Sequence, residues 1–168
     1  MSSELRVDKI VPTTGVPTGG GGGIVQIAVG RFNSHISDST SGSYMASGLI
    51  TTMTPRFSNS KFHVHMCGGR IKARSGSGIN VKMYVSINGG SYATAYSGNR
   101  GESFYYSSDG ENQVPLSFVD LYTPSSAITS TIAFQPYWRS FSGGQNSFNV
   151  SDSNSYGEVV MTVMEVSV

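Results

Sequence analysis

Between Ile79 and Ile87 every second residue is apolar: Ile79, Val81, Met83, Val85 and Ile87 alternate with Asn80, Lys82, Tyr84 and Ser86. Only an extended chain sets residues i, i+2 and i+4 on one side, so this stretch is a strand with one buried and one open face. Asn88-Gly89-Gly90 follows at once. Asn and Gly both accept the positive φ of a tight hairpin, so the chain is expected to turn there and return through Tyr92–Tyr96.

The same period runs through the rest of the chain. GIVQIAVGRF predicts a first strand over Ile24–Phe32, and Leu49, Thr51 and Met53 share a face before Pro55 ends the run. KFHVHMC sets Phe62, Val64 and Met66 against His63, His65 and Cys67. SFYYSS, a turn at Asp109-Gly110, QVPLSFVDLY and STIAFQPYW read as further strands. The closing GEVVMTVMEVSV is apolar on both faces, which suits a strand in the middle of a sandwich or against a neighbouring subunit. No stretch carries a helical period. The fold class this implies is an all-β, antiparallel sandwich resembling a jelly roll, over residues 24–168.

Composition narrows the function. Only 12% of the 168 residues are charged and the net charge is +1, so nothing draws the chain toward nucleic acid or an anionic membrane. No apolar run is long enough to span a bilayer, so no membrane insertion is expected. Glu4, Arg6, Asp8 and Lys9 break the opening stretch, which does not read as a signal peptide. A lone cysteine, Cys67, excludes an internal disulfide framework and leaves stability to the core or to association.

Residues 1–23 read as a separate unit. Leu5, Val7, Ile10 and Val11 are apolar anchors among Arg6, Asp8 and Lys9; Pro12 and Pro17 keep the following stretch extended. Gly19, Gly20, Gly21, Gly22 and Gly23 form a flexible joint. The expectation is an arm that orders on a partner, with Leu5, Arg6, Val7, Asp8, Ile10, Val11 and Pro12 as its docking residues.

Several of these stretches together resemble the small C-terminal head domains of tailed-bacteriophage fibres and decoration proteins, notably those of marine and cyanobacterial phages. The resemblance rests on IVQIAVGRF, the Ser/Thr-rich passage from Ser34 to Ser43, GLITTMTP, FSNSKFHVHM and the closing VVMTVMEVSV, which stands where that family has a strand like ITLMEI. SELRVDKIVP resembles short N-terminal docking motifs on structural proteins of the same phages. The loop SGNRGESFYYSSDGEN has no counterpart in the pattern. The resemblance implies a virion structural protein, a homotrimer, with its arm toward other phage tail or capsid proteins and its β domain outward. A tail-fibre or receptor-binding role on host glycans is expected. The absence of a long shaft between arm and head favours the alternative, a capsid decoration or head-fibre protein.

Chemistry-bearing residues were weighed against plainer roles. His63 and His65 point to one side of a strand, and on a three-fold axis three chains could offer six nitrogens to one ion. Two ligands from one chain make no closed site, so an ordinary polar pair is expected, with no metal and no other cofactor. SGSGI at Ser75–Ile79 lies in a turn and lacks the strand–helix setting of a nucleophile elbow. A glycan-cleaving enzyme, the second alternative, needs two opposed carboxylates, and Glu102, Asp109 and Glu111 sit together in one loop region. No enzymatic activity is expected. Tyr105, Tyr106, Tyr137, Trp138 and Arg139 are the candidate glycan contacts, since aromatic rings and Arg recur at binding hot spots. Trp138 has a competing place in the core, which is the favoured one.

Overall fold

The alternation at Ile79–Ile87 becomes the long strand through which the second of two sheets is organised. A computed structural model describes residues 23–38, 42–96, 102–141, 145–152 and 155–166. The strands are β1 (Ile24–Phe32), β2 (Ile36–Asp38), β3 (Met45–Ala46), β4 (Thr51–Met53), β5 (Lys61–Ala73), β6 (Ser77–Ile87) and β7 (Ala93–Thr94). They continue as β8 (Glu102–Ser107), β9 (Asn112–Tyr122), β10 (Ile132–Phe141), β11 (Asn146–Phe148), β12 (Ser151–Asp152), β13 (Ser155–Tyr156) and β14 (Val159–Val166). There is no helix among the described residues.

The first sheet runs β1-β14-β5-β9, with β11 and β2 continuing it beside the far half of β5. The second runs β4-β10-β6-β8, with β3 beside β10 and β7 beside β6. All these pairings are antiparallel. Taking β1, β4, β5, β6, β8, β9, β10 and β14 as the principal strands, the two orders are 1-8-3-6 and 2-7-4-5. Two interleaved Greek keys of that order make a jelly roll. The terminal strand β14 lies between β1 and β5, the central place expected of a segment apolar on both faces.

Inner faces meet in a single core. Phe62, Val64 and Met66 of β5 and Val159, Met161 and Val163 of β14 face Ile79, Val81 and Met83 of β6 and Ile132, Phe134 and Trp138 of β10. Phe62 packs on Phe134 across the sandwich with ring centres 6.0 Å apart, and Trp138 stacks on Phe148 of β11 at 6.4 Å. The hairpin after β6 forms as expected, with Asn88 at φ 54° and Gly89 at φ 73°. Its return strand is shorter than the predicted Tyr92–Tyr96, because only Ala93 and Thr94 pair with β6 before Tyr96 turns into the core.

Strand β5 serves two sets of neighbours and bends to do so. Gly68 and Gly69, at φ 82° and 61°, interrupt its pairing with β9 between Cys67 and Arg70. A Cβ on Gly68 would stand 2.3 Å from the Glu158 carbonyl oxygen, so the chain crosses closer there than any other residue permits.

Polar side chains inside the sandwich fix its connections. Asn146 of β11 is fully buried. Its amide nitrogen shares two hydrogens among the Ser77 Oγ at 2.8 Å, the Gly78 carbonyl at 2.6 Å and the Ser140 Oγ at 2.7 Å, while its oxygen accepts from the Arg74 N–H. Glu165 of β14 is equally buried and accepts from the Gln26 side chain, the N–H groups of Arg56 and Phe57, and the Ser60 hydroxyl. Replacing Glu165 by Ala removes the shared acceptor of all these donors, of which the Ser60 hydroxyl is buried and the others partly so. Glu165→Ala should therefore cost about 3 kcal/mol or more in urea unfolding; a loss below about 1 kcal/mol would show that water satisfies the cage.

Candidate functional site

The predicted contact residues divide according to the pleat. Along β10, Ile132, Phe134, Pro136, Trp138 and Ser140 face inward, and Ala133, Gln135, Tyr137, Arg139 and Phe141 face outward. Trp138 therefore takes the core place favoured for it, with no exposed surface, and leaves the group of candidate glycan contacts. Tyr105 of β8 turns inward and packs against the core, so it too leaves the contact group. Tyr106 is exposed on the outer side, and Tyr137 and Arg139 share that side.

What gathers there was only partly visible in the sequence. Pairing of β6 with β10 sets Asn80, Lys82 and Tyr84 level with Arg139, Tyr137 and Gln135. Tyr84 and Tyr137 stack diagonally at 4.2 Å with their planes 25° apart. Tyr92, from the loop before β7, leans on Tyr137, and Tyr44, just before β3, leans on Tyr84, each at 6.0 Å. The Arg139 guanidinium lies 4.7 Å over the Tyr44 ring, within cation–π range. The result is a strip of four tyrosine rings closed at one end by a cation, on a two-stranded platform. At the other end of β6 and β10, Phe104 and Phe141 meet edge to face at 6.0 Å beside Tyr106. Gly78 makes room for them, since a Cβ there would come within 3.2 Å of the Phe104 ring.

The strip is half-buried. Arg139 donates to the Gly42 carbonyl at 3.4 Å, and its Nε is shut from water with no partner among the described residues. Burial raises the Tyr92 phenol above the usual tyrosine range, with Tyr137 adding to the effect. A raised folded-state value means stability is whole below the unfolded value and is lost as pH climbs through the folded one. Unfolding free energy should thus fall above about pH 10, and by less in Tyr92→Phe; an equal fall in the variant would place the effect elsewhere.

The remaining candidates take plainer places. His63 and His65 point outward from β5, flanked by Met164 and Thr162 of β14 and by Leu121 and Val119 of β9. No cluster of three or more metal-binding side chains occurs among the described residues. Glu111 is paired with Lys72 at 3.2 Å and Arg74 at 2.7 Å, and the Lys72 hydrogen bond chiefly holds its carboxyl below the usual range. A general acid needs the opposite shift. Ser77 of SGSGI is buried, donating to the Phe141 carbonyl at 2.5 Å and accepting from Asn146. A cavity of about 280 Å³ beside Ser58, Asn59 and Pro124–Ala127 is lined by small side chains without charge or aromatic rings. The arm residues Leu5–Pro12 and the joint at Gly19–Gly22 lie outside the described residues; Gly23 is the exposed residue before β1.

No family model matches the chain, and no curated protein does. Among solved structures, the chain is similar to one from "Structure of infectious bursal disease virus Gx strain", with 10% sequence identity and a TM-score of 0.36. The match covers 96% of this chain and 43% of that one, so this chain spans under half the length of its structural neighbour.

Chelator should leave the melting temperature unchanged, because two imidazoles from one chain do not make a closed metal site. Bound metal at a fixed ratio, lost in His63→Gln/His65→Gln, would reverse that expectation.

Proposed function

We propose that this protein is a virion structural protein of the tail-fibre, receptor-binding kind. Residues 1–23 fasten it to the particle, and the outer face of its second sheet meets a glycan on the host surface. The observation that carries this reading is the tyrosine strip ending at Arg139. Flat rings on rigid strands stack on sugar faces at small entropic cost, and a guanidinium beside them receives sugar hydroxyls or carboxylates. The jelly-roll order supports a non-catalytic surface role by analogy, since viral capsid and lectin domains use it too. The same analogy favours a second reading, decoration of the capsid shell.

Gold-labelled antibody against the β domain, viewed on intact virions by electron microscopy, tests the placement. Label at the tail is expected. Label over the head would make this a decoration protein, and virions without label would end the virion reading. On a glycan array the wild type should bind, and Tyr84→Ala/Tyr137→Ala should bind about thirtyfold more weakly, since each of the two rings removed is worth ~1 kcal/mol. Equal binding by the variant would remove the strip from recognition.

A further inference from the structure

The outer face of the first sheet is a second surface of different chemistry. Antiparallel register lines up Ile27, Met164, His63 and Leu121 across β1, β14, β5 and β9, and Val29, Thr162, His65 and Val119 in the next outward row. The two flanking strands stand proud. Ile27 and Val29 are 57% and 52% exposed on β1, and Val119 and Leu121 are 59% and 44% exposed on β9. Ile24, 58% exposed, extends the β1 ridge beside Val166. Between these strands, His63, His65, Thr162 and Met164 are partly covered by their neighbours on both sides. Neither row contains a lysine, arginine or carboxylate. The cations bordering the two rows are Arg31, ion-paired with Glu158, and Lys61 of β5, opposite Val166.

We infer that this face is covered by the same face of a second copy of this chain. Three features select that occupant. The exposed apolar edges lie roughly 14 Å apart, three strand spacings, so the same face of another copy laid against this one covers both together. The exposed and half-exposed side chains present on the order of 700 Å² of mainly apolar surface, close to the ~800 Å² per partner of a standard interface and above the usual largest patch of a monomer. The two central rows are also uncharged, so a charged partner finds nothing to pair with there, and a copy of itself meets no like charge at the centre of the contact. Such a same-face contact closes as a two-fold dimer. The inference itself rests on the face alone, and virion labelling can fail without affecting it.

Sedimentation velocity on the purified full chain tests it. Wild type at tens of micromolar is expected to run as an oligomer. Val29→Glu/Val119→Glu is expected to run as a monomer with an unchanged far-ultraviolet circular dichroism spectrum. Should the double charge prevent folding, Val29→Thr/Val119→Thr keeps the branched strand residues, and its dissociation constant should rise at least tenfold. A wild type monomeric at the highest concentration, or a folded variant that stays associated, overturns the proposal. So does a monomeric protein in which the thiol of Val119→Cys, in a Cys67→Ser background, is shielded from a thiol reagent; the face would then be covered by the chain's own residues 1–22.

Discussion

Glu165 is the group on which the arrangement of this sandwich turns. Its carboxylate has no solvent exposure, yet Arg56 gives it a backbone N–H, joined by the Phe57 N–H, the Ser60 hydroxyl and the Gln26 amide. Oriented dipoles thus carry the negative charge, and a buried carboxylate is tolerable only when such donors surround it. The donors come from β1 and from the connection between β4 and β5. That connection must cross from one sheet to the other, and the carboxylate fixes where it lands. Where β5 begins decides its register with β14 and β9, and so decides which residues share a row on the outer face.

Strand β5 then has to satisfy β14 over Lys61–Gly68 and β11 near Ile71 and Lys72. A single regular strand thirteen residues long would twist away from one of them. The irregularity at Gly68-Gly69 lets it change course, and Asn149, itself at φ 55°, packs its amide oxygen where a Gly69 Cβ would be. Asn149 also donates to the Ser34 carbonyl at 3.0 Å, which ties the chain after β1 to the same corner.

Much of this was legible because core strands with one open face must alternate. Ile79–Ile87, Phe62–Met66 and Leu49–Met53 show their inward residues without ambiguity, and β1 occupies the stretch its sequence marks. The segment FSGGQNSFNV gave the opposite impression. Ser142, Gly143 and Gly144 before it and the Asn residues within it have the composition of a loop, yet Asn146, Ser147, Phe148, Asn149 and Val150 are all buried. An inward asparagine bonded to three neighbouring strands or turns has the composition of a turn and the role of a core residue, and periodicity cannot tell the two apart. Trp138 and Arg139 show the converse limit. Adjacent in sequence, they suggest one contact site, but the pleat sends them to opposite faces. The strip at Tyr137 could not be seen as a group, since Tyr44, Tyr84 and Tyr92 reach it from three separate segments.

The two outer faces differ in what they can hold. One offers aliphatic ridges with no charge in its central rows; the other offers tyrosine rings and an arginine. They lie on opposite sides of a sandwich whose sheets stack ~10 Å apart, so occupation of one leaves the other open. Copies joined through the first sheet would turn their second sheets outward, each carrying its own aromatic strip. A single stacking contact with a sugar is weak, but several strips held on one particle convert later contacts into intramolecular ones and raise avidity by orders of magnitude. Were copies to associate through one face, modest recognition by the other would suffice, and the low charge of the chain, which offers no long-range attraction, would accord with attachment through many short-range contacts.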